Sequence, residues 1–159
     1  MPKLGSFAST GIPTITALKI AEQDVNEFLQ KTNSSMRVKL QIEDSKTNPS
    51  ETLNAIKRLH NANAKIIVGP MTSAAVNAII NYTNENDIVL ISQSSTSPAL
   101  SIVGDNLFRF VPDDKNQGKY IAKQMWNNGI KIVVPMWRDD IYGNELYKSM
   151  KGNFEKIGV

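Results

Sequence analysis

The chain has 159 residues, 41% of them hydrophobic and 21% charged, with a formal net charge of +3 and no cysteine. That is room for one ordinary domain and the beginning of another, and it excludes disulfides, zinc ribbons and thiol catalysis. The lysines and arginines are scattered among acids without a basic stripe, so no nucleic-acid partner is expected, and no run reaches the about 18 apolar residues of a membrane span.

Leu4 to Phe7 reads as a short first strand, and from Thr14 the apolar positions Leu18, Ala21, Val25, Phe28 and Leu29 recur at helical spacing. Arg37 to Asp44 alternates, with Val38, Leu40 and Ile42 on one face, as a second strand. Asn48-Pro49-Ser50-Glu51 then supplies a cap, a first-turn proline and a reciprocal glutamate, so a helix begins near Pro49. Lys65 to Val68 is an apolar run stopped by Gly69-Pro70, and Val76, Ile79 and Ile80 mark the helix after it. Ile88 to Ile91 repeats that grammar, Leu107 to Val111 is a fifth strand, and Gly118 to Asn128 is a helix ended by Gly129. Ile130 to Met136 is a sixth strand, and a last helix runs from about Tyr142 with Leu146, Met150, Phe154 and Ile157 along one stripe. Strands alternating with helices predict an α/β fold, a three-layer doubly wound parallel sheet of Rossmann-like plan.

In such sheets ligands sit beyond the carboxyl ends of the strands. The segments there share one chemistry: Ser9-Thr10-Gly11, Thr72-Ser73 and Ser92-Gln93-Ser94-Ser95-Thr96-Ser97 are rich in hydroxyls. Thr72 or Ser73 opens a helix, whose free N–H groups and positive dipole end suit a carboxylate. Taken singly these residues are helix caps and turns; their convergence on one end of the sheet points to a small-molecule site.

Other chemistries find less support. No G-x-S-x-G elbow surrounds a serine, and the one histidine, His60, lies in a helix before the serine cluster. The segment after Val68 lacks the glycines and lysine of a phosphate loop, so no nucleotide cofactor is expected. Asp113-Asp114 and Asp139-Asp140 are acidic pairs of the kind that hold a divalent cation, but each reads more simply as a helix start or loop, and no metal is expected. Trp137 with Arg138 follows the sixth strand, where it either walls a cleft or packs. A flavodoxin-like or receiver-like domain is the alternative, although such domains carry acids after strands one and three, where this chain has Ser9-Thr10 and Thr72-Ser73. The ligand-sensing core of a transcription regulator is another.

The stretch IIVGPMTSAAVNAIINYTNENDIVLISQSSTSPALS, with LFRFVPDDKNQGKYIA and IVVPMWRDDIYGNELYKSMKGNFEKIG, resembles the leucine/isoleucine/valine-binding family, the type I periplasmic substrate-binding proteins of ABC transporters. Its most specific parts are Ser94 to Pro98 and the Asp-x-Tyr-Gly turn at 140 to 143. The resemblance implies a non-enzymatic, extracytoplasmic protein of two lobes that closes on an amino acid or related small solute and delivers it to a membrane permease. It further implies that Ser73 and Ser94 to Thr96 grip the solute's carboxylate and amino groups, Thr96 through its hydroxyl and Ser94 through a backbone carbonyl. Tyr142 matches an aromatic position of the second lobe, and Thr10 lies in a loop, ASTGIPT, shorter than the family's usual one. On this reading residues 1–128 are the first lobe and 129–159 the first strand and helix of the second. The orphaned 130–159 segment is then expected to dock on its own lobe or to pair with a second copy as a homodimer.

Overall fold

The protein is seen in a computed structural model that describes residues 1–158. Its backbone divides into two compact units, Met1–Ala64 and Lys65–Val159.

The first unit contains helices α1 (Ala8–Lys31) and α2 (Pro49–Asn61). α2 starts where its sequence signals place it. Asn48 Oδ1 accepts from the Glu51 N–H at 3.1 Å, Pro49 takes a position whose N–H has no helical partner, and Glu51 sits at the positive end of the dipole. The strands expected at Leu4 to Phe7 and Arg37 to Asp44 do not form. Instead the Asp44 carboxylate accepts from the N–H groups of Lys3, Leu4 and Lys46 at 2.8, 3.4 and 2.9 Å. Thr47 Oγ1 accepts from the Phe7 N–H at 3.2 Å. Gly5 closes this turn at φ +88°, where a Cβ would meet the Lys46 carbonyl oxygen at 2.3 Å, so the position requires glycine. With these N–H groups bonded to side chains, Leu4 to Phe7 offers no ladder, and α1 begins at Ala8. Ser9, Thr10 and Gly11 are therefore in a helical first turn, not in a loop. The 37–44 segment is likewise held by helix side chains, the N–H groups of Val38 and Leu40 donating to Asn26 Oδ1 and Glu22 Oε1 at 2.8 and 2.7 Å.

The second unit is a parallel α/β arrangement. Strands β1 (Ile66–Val68), β2 (Val89–Ser92) and β3 (Leu107–Arg109) pair in that order, with Ile67 beside Leu90 and Leu90 beside Leu107. Helix α3 (Ser73–Glu85) crosses from β1 to β2, and helices α4 (Lys115–Asn127) and α5 (Ile141–Gly158) follow β3. Successive strand residues point to opposite faces. Ile67 and Leu90 are buried, as are Ala75, Val76, Ile79, Ile80 and Thr83 of α3, which packs against β2. Each fully buried Val, Leu or Ile contributes about 1.5–3 kcal/mol, so this cluster is a large part of what holds α3 on the sheet. Ile66 and Phe108, one residue out of phase, remain 66% and 56% exposed.

Among the described residues the sheet thus has three strands where six were expected. Ile130 to Met136 is extended but unpaired, with Ile132, Val134 and Met136 exposed. Its apolar alternation needs a neighbouring strand that the described residues do not supply. The helix that follows it does dock: α5 packs along α4, with Trp126 edge-on to Phe154 at 5.9 Å and Ser149 Oγ donating to the Lys115 carbonyl at 3.3 Å.

The Asp44 turn has a pH signature. Burial pushes the Asp44 carboxyl up, but the N–H groups of Lys3, Lys46 and Leu4 and the N-terminal ammonium outweigh it and hold the carboxyl below its ordinary range. A carboxyl lowered in the folded state stabilises the fold above the ordinary range, and that contribution is lost as pH falls through the folded value. Amide protection at Lys3, Leu4 and Lys46 is expected to be high at neutral pH, to fall on acidification below the carboxylate range, and to drop at neutral pH in Asp44→Ala. Protection in the native chain that ignores pH contradicts this.

Candidate functional site

β1 and β2 lie side by side, so the segments leaving them must share space. Ser73, Ser92, Ser95 and Ser97 are buried, so polar groups around them need partners within the protein, and the sequence supplies hydroxyls. After β1 the chain turns through Gly69 and Pro70 to Thr72, whose Oγ1 accepts from the Ala75 N–H at 3.2 Å and caps α3. After β2, Ser92 Oγ donates to the Pro70 carbonyl and Ser94 Oγ to the Met71 carbonyl, both at 2.8 Å. At the centre is Ser73 Oγ, which accepts from the Ser95 hydroxyl and from the Ser97 N–H, each at 3.2 Å. Ser92, Ser94, Ser95 and Ser97 are thus the stitching between two strand exits.

Two more residues brace the loop from the β3 side. The register sets Arg109 opposite Ser92, so its guanidinium emerges beside the segment that follows Ser92. It donates to the Ser95 and Ser97 carbonyls at 3.4 and 2.9 Å and to Ser101 Oγ. Thr96 and Asp114 form a two-bond clasp, Thr96 Oγ1 donating to Asp114 Oδ2 at 2.6 Å and the Asp114 N–H donating to the Thr96 carbonyl at 3.0 Å.

Ser73, Ser92, Ser95, Ser97 and Asp114 are buried, Thr72 and Thr96 are half-buried, and Ser94 is exposed. The structure therefore brings together Thr72, Ser73, Ser94, Ser95 and Thr96, with Ser73 and Ser95 as the floor and the other three at the rim. Tyr142 is drawn to the same loop through the backbone, since Ser97 Oγ donates to the Ile141 carbonyl at 3.3 Å. The Asp-x-Tyr-Gly turn explains itself locally: Asp140 Oδ1 accepts from the Gly143 N–H at 2.9 Å, and a Cβ at Gly143 would lie 2.0 Å from the Arg138 carbonyl oxygen. Thr10 lies in α1 of the other unit, exposed, with its carbonyl accepting from Thr14 Oγ1 at 2.9 Å.

The remaining candidates are engaged elsewhere. Trp137 stacks on Tyr147 at 4.0 Å and donates to Asn144 Oδ1 at 2.8 Å, which is packing on α5. Asp113 pairs with Lys115, and Asp139 accepts from Asn144 Nδ2. Among the described residues no three His, Cys, Asp or Glu gather to hold a metal. An open hollow of about 610 Å³ flanks α4 between Tyr120 and Asn127, but residues of that one helix alone line it, so it gives a solute a single wall of contact. The bracing role of Arg109 is absent from the sequence reading; its only signal there is a guanidinium set between two phenylalanines in a strand.

Comparison with known proteins identifies the family of the chain. Residues 15–159 fit the model of the receptor family ligand binding region. The chain belongs to that family, with the fold of type I periplasmic binding proteins. A leucine-binding protein from Thermotoga maritima superposes with a TM-score of 0.85 at 24% identity, over 99% of this chain and 44% of that one. A solute-binding protein of an ABC transporter from Rhodopseudomonas palustris, solved with 3,4-dihydroxybenzoic acid, gives 0.79 at 19% identity over 98% of this chain and 42% of its own. In sequence, an uncharacterized protein of Methanocaldococcus jannaschii is 31% identical over 98% of this chain and 39% of its own length, and glutamate receptor 2.5 of Arabidopsis thaliana is 27% identical over 90% and 16%. The chain therefore spans less than half the length of these relatives. No helix among the described residues is long and apolar enough to cross a membrane.

Ser73 Oγ accepts both bonds, so removing it leaves the buried Ser97 N–H and Ser95 hydroxyl unsatisfied. Ser73→Ala is expected to destabilise the fold by about 1–3 kcal/mol, against about 1 kcal/mol or less for exposed Ser94→Ala. Urea denaturation of the two variants checks the order; equal losses contradict it.

Proposed function

We propose that this chain carries the first lobe, residues 1–128, of an extracytoplasmic ABC-transporter substrate-binding protein, with 129–159 as the opening strand and helix of the second lobe. The solute is an amino acid or related small carboxylate, and the full protein hands it to a membrane permease. The observation that carries this reading is the shared rim of Thr72, Ser94 and Thr96 at adjacent strand exits, beside the N-terminus of α3. A carboxylate meets free N–H groups at the start of α3, and the hydroxyls beside it take the solute's other polar groups. Ser73 and Ser95 hold these groups in place from below, and Tyr142 supplies an aromatic wall. The leucine named for the Thermotoga maritima protein and the dihydroxybenzoate bound by the Rhodopseudomonas palustris protein both suit such a rim. The match to Arabidopsis glutamate receptors favours a second reading, the ligand-sensing module of a receptor, which uses the same rim.

Binding proteins that close around a solute gain affinity by burying it between two surfaces, and residues 1–159 provide one of them. An opposing wall that supplies two or three hydrogen bonds to charged groups, at about 1.5–3 kcal/mol each, accounts for a hundred-fold or more in affinity. The apolar, unpaired 130–136 segment suits an edge offered to that second lobe or to a second copy of the chain, and sedimentation at rising concentration separates these. Titration of the isolated chain with leucine, followed by amide NMR, is expected to move the resonances of residues 72–74 and 94–97 with millimolar affinity. Micromolar binding contradicts the one-walled site; unmoved resonances at about 50 mM leucine contradict the site itself.

A further inference from the structure

Of the three rim hydroxyls, those of Ser94 and Thr96 have their protons already committed, whereas Thr72 Oγ1 is shown only as an acceptor. A serine or threonine hydroxyl has one proton to donate and two lone pairs that accept. Ser92 Oγ and Ser94 Oγ donate theirs to the Pro70 and Met71 carbonyls, and carbonyls only accept. Thr96 Oγ1 donates to Asp114 Oδ2 at 2.6 Å. To anything that approaches from solvent, Thr96 and Ser94 therefore offer lone pairs and no proton.

Asp114 makes an unusual choice to bring this about. It is the residue immediately before α4, where an aspartate side chain ordinarily accepts from the first-turn N–H groups and stabilises the helix. Here its side chain makes no cap hydrogen bond. It turns instead toward the loop after β2, where its own N–H holds the Thr96 carbonyl at 3.0 Å and fixes the two residues in register. Asp114 is 3% exposed, so its carboxyl lies behind Thr96, away from bulk water. A local stabilisation given up at the helix start is the kind of inconsistency that marks a position set by function.

We infer that Asp114 is a positioning residue that locks the Thr96 hydroxyl as an acceptor, so that the rim selects solutes that place a proton donor there, a protonated amine or a hydroxyl, over solutes that place none. This rests on the reading of residues 94–97 as solute contacts. It adds to that reading the residue that sets which hydrogen-bonding role Thr96 can take. Asn at 114 keeps an oxygen that accepts the same bond, whereas Leu leaves the Thr96 proton free to donate.

The test compares leucine with its des-amino counterpart, 4-methylpentanoate, by amide NMR titration of the native chain, Asp114→Asn and Asp114→Leu. The native chain is expected to favour leucine about ten-fold, Asp114→Asn to retain most of that preference, and Asp114→Leu to lose it while holding its affinity for 4-methylpentanoate. An unchanged preference in a folded Asp114→Leu overturns the role of Asp114 and leaves the site standing. A native chain that binds both probes equally also overturns it. Unmoved 94–97 resonances with both probes overturn the site and this inference together. Should Asp114→Leu fail to fold, the native chain decides: a slowly exchanging Thr96 hydroxyl proton close to the Asp114 side chain supports the inference, and a freely exchanging one overturns it.

Discussion

The Ser73 hydroxyl is the point on which the second unit turns. Two strands that run side by side in a parallel sheet must send their chains off without leaving buried polar groups bare, because each unsatisfied group costs about 1–3 kcal/mol. Ser73 Oγ meets that need for two groups of the neighbouring loop at once, the Ser95 hydroxyl and the Ser97 N–H. Ser92 and Ser94 complete the join by reaching back to the carbonyls of Pro70 and Met71. A loop that would otherwise be mobile is thereby held against the start of α3, and its outer hydroxyls acquire a fixed direction. Rigid placement of a few polar groups is what a small-solute site requires.

Two charged side chains extend this rigidity sideways. Arg109 reaches the site because the parallel register sets it beside Ser92, and its guanidinium takes the carbonyls of Ser95 and Ser97. Asp114 closes the far end through Thr96. Neither is a feature of β1 or β2, so the join between the first two strands depends on the third strand and on the start of α4. The floor of hydroxyls, the guanidinium and the carboxylate form one connected network, in which every member limits the freedom of the next.

How much of this the sequence discloses follows the range of the interactions involved. α2 and α3 are legible because their caps lie within three residues of the groups they satisfy, as Asn48 does for Glu51 and Thr72 for Ala75. β1 and β2 are legible as short VLI runs followed by turn residues. Leu4 to Phe7 is misread because the carboxylate that bends it, Asp44, is forty residues away. Ile130 to Met136 has the alternation of a strand, but alternation specifies a face and not a partner, and no described strand pairs with it. The serine cluster could be located from composition, yet not its division into floor and rim: Ser94 and Ser95 are adjacent and chemically identical, and only the direction of each Cβ makes one exposed and the other buried. Arg109 was beyond reach because its partners are carbonyls, which every residue has.

The central claim, that the exits of β1 and β2 are locked together by buried hydroxyls, is tested most directly by native-state hydrogen exchange at the Ser95 and Ser97 amides. These bond to Ser92 Oγ and Ser73 Oγ, so the account requires them to exchange as slowly as the Leu90 amide inside β2. Exchange at the rate of an open surface loop, with Leu90 still protected, contradicts it.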